Sequence, residues 1–289
     1  MPRLRIRHES VYLYSEPVRF GRWRLLMRPL DTHATRLIEA SLETPPCDIK
    51  WSYDAYGNCV CHLTPLRVAN SLTVVNNLLV DRYPSPMAAV NIDDPRSVTP
   101  IVYAMADRIV LAPFIAPASD DSDTAYLDWI RGQLPRGAES AIDYLSRLNA
   151  SIQRDFIYSV RNEEGTQSPA ETVRLRSGTC RDFAWLMIET VRRMGFAARF
   201  ATGYLYSPGW AVRGSGATHA WCEVFLPDLG WIEFDPTNGL VESANLIRVA
   251  ATRTWREADP MSGTIFGRAA CDLRVNVDVD LVDASGLAA

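Results

Sequence analysis

Residues 178–184 read Gly178-Thr179-Cys180-Arg181-Asp182-Phe183-Ala184. Gly178 permits a tight backbone turn, Thr179 is a favoured N-cap, and Asp182 three positions on completes a capping pattern. The stretch therefore predicts a helix that carries Cys180 in its first turn. It runs to about Met194, with Arg192 and Arg193 in the last turn and Gly195 as the C-terminal cap. Ala184, Met187, Ile188 and Val191 fall on one face, and Cys180 continues that stripe one turn back, so the thiol is expected on the packed side. The unpaired N–H groups and positive dipole end of a helix start favour a thiolate, and the same N–H groups can hold an oxyanion.

A thiolate nucleophile needs a proton-exchanging partner, and the chain supplies one downstream. Thr218 to Leu226 alternates as a strand that opens on His219; Pro227-Asp228-Leu229-Gly230 reads as a turn; Trp231 to Asp235 returns as a second strand that Pro236 ends. The hairpin brings Asp235 back beside His219. Imidazole between a thiol and a carboxylate keeps one tautomer, activates sulfur and stabilises the imidazolium, so Cys180, His219 and Asp235 are the candidate catalytic residues. Parity sets a condition. A loop of four residues would pair Asp235 with Cys222 and turn it away from His219, so an odd loop or a bulge is expected.

Outward from this segment the chain reads as α+β. Residues 1–83 form a β-rich N-terminal domain, with strands expected at Ser10–Tyr14, Arg36–Leu42, Ile49–Tyr53, Cys59–Leu63 and Leu72–Val80. Residues 84–160 form a connecting helical segment. It is punctuated by Pro84, Pro86, Pro95, Pro100, Pro113 and Pro117, with a helix at Ile101–Leu111 docked on something larger and two more at Thr124–Leu134 and Glu139–Phe156. Residues 161–289 form the catalytic core and end in a strictly alternating strand, Leu273–Leu281, expected to be half-buried. The loops Arg161–Ser168 and Ser207–Ala217 are expected to shape the cleft.

Composition narrows the function classes. With 289 residues, 47% hydrophobic and 22% charged, the chain can bury a sizeable core, and no apolar run reaches the roughly 18 residues of a membrane span. A formal charge of −4 gives no electrostatic reason to expect nucleic acid or an anionic membrane as partner. The basic start Met1-Pro2-Arg3-Leu4-Arg5 lacks the apolar stretch of a secretory signal, which makes the cytoplasm the default location. Six scattered cysteines read as free thiols. Cys59, Cys61 and His62 suggest metal ligands at first sight, but Cys-x-Cys without a second pair does not have zinc spacing, and Cys222 alternates away from His219 as a packed residue. Tyr158, Trp221 and Trp231 read as core aromatics that could also shape or cover the site.

Gly178 to Ala184, Ala197-Ala198-Arg199 leading to Gly203-Tyr204, His219-Ala220-Trp221, and Gly230 to Gly239 together resemble the core of bacterial transglutaminase-like proteins, a group that includes proposed cysteine proteases. Tyr14-Ser15-Glu16-Pro17-Val18 and Asp54 to Asn58 resemble the β-rich region that precedes this core. The resemblance implies a fold distantly similar to papain, Cys180 as nucleophile, His219 as base and acid, Asp235 as orienter of the imidazole, and neither metal nor cofactor. It also implies a peptide or protein substrate. Three activities stay open at this stage: hydrolysis of a peptide or isopeptide bond, transfer of a glutamine-type acyl group to an amine, and a non-catalytic peptide-binding module. Oligomeric state is not legible.

Overall fold

The computed structural model of the chain describes residues 2–83, 99–119, 122–137, 139–161, 164–207, 213 and 217–282. The calls on Pro84, Pro86 and Pro95, and most of the Ser207–Ala217 loop, lie outside them.

The first strand, β1, runs from Arg3 to Leu25, far beyond the expected Ser10–Tyr14. Its first half alternates Arg3, Arg5, Arg7 and Glu9 with buried or half-buried Leu4, Ile6, His8 and Ser10, a period-2 pattern masked by the charges. The next strands are β2 (Thr35–Glu43), β3 (Cys47–Tyr53), β4 (Cys59–Pro65) and β5 (Ala69–Arg82). They line up with β1 in the order β2-β5-β1-β4-β3. Register shifts at Leu13/Val18 and Phe20/Trp23 let β1 serve two groups of partners, and Tyr14, Val18, Phe20, Trp23, Leu63, Leu72 and Val74 pack into one cluster.

The chain's tail returns to this region. Strands β13 (Met261–Phe266) and β14 (Cys271–Val282) both pair antiparallel with β1, with Arg3 opposite Val282 and Tyr14 opposite Cys271. The tail strand grouped by sequence with the catalytic core therefore belongs to the N-terminal sheet. It is also less buried than its alternation implies: Val277 and Val282 are buried while Leu273 and Val275 face solvent, because β14 is an edge strand.

Helix α1 spans Met105–Ile115 rather than Ile101–Leu111. It is not docked deeply, since Leu111 is its one buried residue and Met105, Ile109 and Val110 are exposed. Helices α2 (Thr124–Gly132) and α3 (Ala141–Asp155) begin at the caps Asp123 and Ser140, whose side chains accept first-turn N–H groups. Both pack in the same cluster as α5 (Cys180–Arg193), so they are part of the core that carries Cys180. Between them lie β6 (Ile157–Tyr158), α4 (Pro169–Leu175) and β7 (Ser177–Gly178), with β6 and β7 paired in parallel.

The second sheet contains β8 (Ala198–Leu205), β9 (His219–Leu226), β10 (Gly230–Asp235), β11 (Leu240–Val241) and β12 (Leu246–Thr252), in the order β11-β10-β9-β8-β12. One face, with Phe200, Ala220, Cys222, Val224, Ile232 and Phe234, packs with Phe183, Met187 and Val191 of α5. The opposite face carries Ala201, Leu205, Trp221 and Leu246. The N-terminal sheet meets the β8–β12 end of this sheet, where Tyr204, Ile247 and Val249 pack with Leu4, Ile6, Leu78 and Val80. A buried polar seam crosses the same junction. His8 bonds Tyr204 through Nδ1 (3.1 Å) and Ser10 through Nε2 (3.1 Å), and Asn76 Nδ2 donates to the Met27 carbonyl (2.9 Å). The fold is α+β, with helices packed on one face of the core sheet and a β region against its β8–β12 end.

Candidate active site

Cys180 is the first residue of α5, preceded by Thr179 in an extended conformation. The turn that presents it is fastened by Asp182, whose carboxylate is fully buried. Oδ2 accepts from the Thr179 N–H (2.8 Å) and hydroxyl (3.0 Å), and Oδ1 accepts from the Gln167 N–H (2.7 Å). Arg161 donates to both oxygens at 3.1 Å. Asp182 is thus more than a cap, because it ties the Arg161–Gln167 stretch to the turn of the nucleophile. Gly178 is required here: a Cβ would lie 2.8 Å from the Asp182 Cβ. Behind it, Ser159 N–H donates to the Gly178 carbonyl at 2.9 Å, which sets Tyr158 alongside Gly178.

The hairpin satisfies the parity condition. Gly230 pairs with Leu226, leaving Pro227-Asp228-Leu229 as an odd loop, with Asp228 and Gly230 in the left-handed region (φ 63° and 81°). Phe234 then faces Cys222, so Asp235 shares a face with Trp221 and stands diagonal to His219. His219 Nε2 donates to Asp235 Oδ2 at 2.8 Å, and neither side chain has any exposed surface. Asp235 Oδ1 also accepts the Thr237 N–H (2.9 Å), and Oδ2 accepts Asn238 Nδ2 (2.9 Å).

Burial alone would push the Asp235 carboxyl up, but the charge and hydrogen bond of His219, with the donors from Asn238 and Thr237, outweigh it and hold the group below its ordinary value. Burial likewise pulls His219 down, yet the charge and hydrogen bond of Asp235, with a further contribution from Cys180, raise it to about 10. An ionised carboxylate can only accept, so Nε2 carries the proton of that bond. Nδ1, buried and without a hydrogen bond of its own, is the ring nitrogen left to Cys180. Trp221, fully buried, stacks on the imidazole at 6.2 Å between centroids and keeps water from the pair.

The arrangement brings together all three residues expected from sequence and adds some that sequence reasoning missed. Asn238 went unnoticed although it stands three residues after Asp235, the spacing at which a local side-chain contact forms. Tyr158 is half-buried beside the site. Burial first, then the charges of Cys180, Asp182 and Asp235, push its hydroxyl up to about 12, so it stays a donor. Cys222 faces α5, where burial pushes its thiol up. Trp231 lies under the Arg199 guanidinium (4.0 Å), away from the imidazole. Cys61 is buried in the N-terminal cluster, beside half-buried Cys59 and His62.

Two family models match the chain. The transglutaminase-like superfamily matches residues 130–236, and the bacterial transglutaminase-like N-terminal region matches residues 4–81. The chain carries a transglutaminase-like core behind that N-terminal region. The first match contains Cys180, His219 and Asp235 and ends just beyond the hairpin. An uncharacterised protein of Mycobacterium tuberculosis is 26% identical over 98% of this chain and 94% of its own length. One from Mycobacterium leprae is 25% identical over 96% and 99%. The crystal structure of a candidate cysteine protease from Cytophaga hutchinsonii superposes with a TM-score of 0.73 at 21% identity, covering 98% of this chain and 91% of that one. The likeness of fold to that structure extends over both regions. Among the described residues no helix is long and apolar enough to cross a membrane.

Proposed function

We propose that the transglutaminase-like core is a cysteine-dependent acyl-transfer enzyme acting on a peptide or protein amide, with water resolving the thioester. The observation that carries this reading is the state of His219: a buried imidazole held on Asp235 at 2.8 Å through Nε2, with Nδ1 left to the Cys180 side. Cys180 Sγ attacks the carbonyl carbon; the C–S bond forms and the carbonyl electron pair moves to oxygen. N–H groups of the first turn of α5, free of intrahelical partners, face that charge. His219 Nδ1–H protonates the leaving nitrogen, the C–N bond breaks, and the amine departs. A water molecule gives a proton to Nδ1 and attacks the thioester, the C–S bond breaks, and sulfur leaves as the thiolate, which restores the thiolate–imidazolium pair. Asp235 stays ionised throughout and stabilises the imidazolium. The candidate protease with this fold supports hydrolysis over transfer. The free state of all six cysteines supports a reducing compartment, the cytoplasm.

The test is incubation of the purified chain with a peptide library and a fluorescent primary amine. New N-termini that vanish in Cys180→Ala are the expected result. Amine incorporation with ammonia release would replace hydrolysis by transfer. Absence of both, with Cys180 alkylated below pH 8 no faster than exposed Cys271, would overturn the enzyme reading in favour of a peptide-binding module. Labelling of Cys180 in fractionated cells tests the compartment.

A further inference from the structure

Glu223 stands four residues along β9 from His219, about 13 Å away at strand spacing. Its carboxylate is shared by two arginines. Arg199 of β8 donates through Nε (2.6 Å) and Arg248 of β12 through Nη1 (3.1 and 3.2 Å). A guanidinium has five N–H donors, and among the described residues the other donors of both arginines make no hydrogen bond. Arg199 keeps its two Nη groups and Arg248 keeps Nε and Nη2, each a pair that matches the two oxygens of a carboxylate. Arg82, at the end of β5, adds a third positive charge from the N-terminal region. It is seated by Thr35 Oγ1 (2.6 Å) and by the carbonyls of Ala34 (3.2 Å) and Ser243 (3.1 Å), with Nη2 3.7 Å from Glu233 Oε2.

These groups line a cavity of about 360 Å³, with Glu242 on its wall and exposed His33 at its rim. That is the size of a small-molecule site, not of a packing gap. Glu242 Oε1 accepts the Glu233 N–H at 2.7 Å, while the Glu233 carboxyl makes no hydrogen bond among the described residues. Burial first, then the charges of Glu223 and Glu242, outweigh Arg82 and Arg248 and push the Glu233 carboxyl up to about 8. Glu233 is therefore neutral at pH 7. Three guanidiniums then face two carboxylates, Glu223 and Glu242, and the wall carries one positive charge in excess. A second cavity, of about 330 Å³, shares Arg199 and Trp231 with the first. Its walls are aromatic: between ring centroids, Phe114 of α1 lies 5.4 Å and Phe225 5.5 Å from Trp231, and Tyr56 lies 6.4 Å from Phe114. The Arg199 guanidinium lies 4.0 Å over Trp231, where the two cavities meet.

We propose that the two cavities together bind a small organic carboxylate, its head held by Arg199 and Arg248 and its aromatic or aliphatic body laid against Trp231 and Phe114. Charged donors beside an aromatic wall are the pairing that orients a ligand with an anionic end and an apolar body. Arg82 and the neutral Glu233 set the sign of the field that the head meets. An inorganic anion would use the ionic cavity alone, so the apolar body distinguishes the two. The site stands apart from Cys180 and does not depend on the acyl-transfer reading.

The experiment is isothermal titration of the purified chain with 3-phenylpropionate, with acetate and inorganic phosphate as head-group probes. It is run on wild type, Arg248→Gln, Phe114→Ala and Glu233→Gln, with circular dichroism to establish folding. Wild type is expected to bind 3-phenylpropionate saturably and at least about tenfold more tightly than acetate or phosphate. Arg248→Gln, which removes charged donors, and Phe114→Ala, which removes apolar wall, are each expected to weaken it about tenfold. The ligand stays ionised between pH 7 and pH 9, whereas Glu233 loses its proton there and sets a negative charge beside the head. Wild-type binding is therefore expected to weaken about tenfold over that interval, and Glu233→Gln, which cannot ionise, to abolish the dependence. Prior alkylation of Cys180 with iodoacetamide is expected to leave binding unchanged; its loss would place the ligand at the nucleophile and overturn the site. Phosphate bound as tightly as 3-phenylpropionate overturns the organic ligand in favour of an inorganic anion. No saturable binding up to about 10 mM, or binding indifferent to both Arg248→Gln and Phe114→Ala, overturns the site itself. Should Arg248→Gln fail to fold, the pH arm decides: wild-type binding equally tight at pH 7 and pH 9 overturns the placement of the head beside Glu233.

Discussion

The imidazolium of His219 is the residue on which a pH prediction can be written with its sign. Its folded value, raised to about 10, lies above the ordinary 6.5, so the group stabilises the fold fully below 6.5 and loses that contribution as pH rises through 10. Asp235→Asn removes the charge that opposes burial. In this variant the decline of the urea midpoint between pH 7 and pH 10 is expected to become shallower than in wild type, and kcat/KM on any substrate found is expected to fall about 10³–10⁴-fold. A variant with wild-type alkaline behaviour would show that Asp235 does not hold the proton. The three central residues were legible in the sequence because a helix cap, a strand opening on histidine and a strand ending at Asp235-Pro236 are local patterns. Asn238 and Arg161 were not, since their roles depend on which distant atoms they meet: Asn238 joins Arg213 and Gln153 across the fold, and Arg161 crosses to Asp182.

Elements place these residues through close approaches that only glycine allows. Gly203 of β8 pairs with His219, and a Cβ there would stand 2.0 Å from the Ile247 carbonyl of β12. Gly203→Ala must therefore push β12 away, with an expected loss of about 1–3 kcal/mol or more in a denaturant titration and a weaker His219 site. Gly178→Ala meets Asp182, so it is expected to lower Cys180 reactivity before it lowers the melting temperature, as alkylation and calorimetry on the same sample can establish. Element types followed from sequence where apolar spacing was helical, as in α2 and α3, and where a cap closed the pattern, as at Gly195, at φ 86° after α5. The bounds, not the types, differed at α1, which starts at Met105 and continues through Pro113, and at β1, whose exposed arginines hid a strand reaching Leu25. Propensity reads local composition, and β1 is fixed instead by partners far away in the chain.

At the scale of the whole molecule, two regions meet across a face where His8 is buried. Burial pulls the His8 imidazole down to about 4, so the folded state keeps it neutral while an unfolded chain charges near 6.5. Its contribution is present above 6.5 and is lost as pH falls toward 4, roughly 3 kcal/mol over that interval. His8→Gln, unable to charge, is expected to flatten the acid side of a stability–pH curve measured by urea unfolding; a curve as steep as wild type would place the acid-sensitive group elsewhere. The division between the regions was only partly legible, because an alternating tail says that it is a strand without saying which sheet it joins. That tail also orders events in time. Arg3 faces Val282 and Leu25 faces Met261, so β1 completes its pairing only with strands that follow the core in the chain. A chain made only as far as Asp235 holds its nucleophile, histidine and aspartate but still lacks β13 and β14, and with them one edge of the N-terminal sheet. The edge of the N-terminal sheet is thus closed by contacts of long sequence separation, the kind that form late in folding.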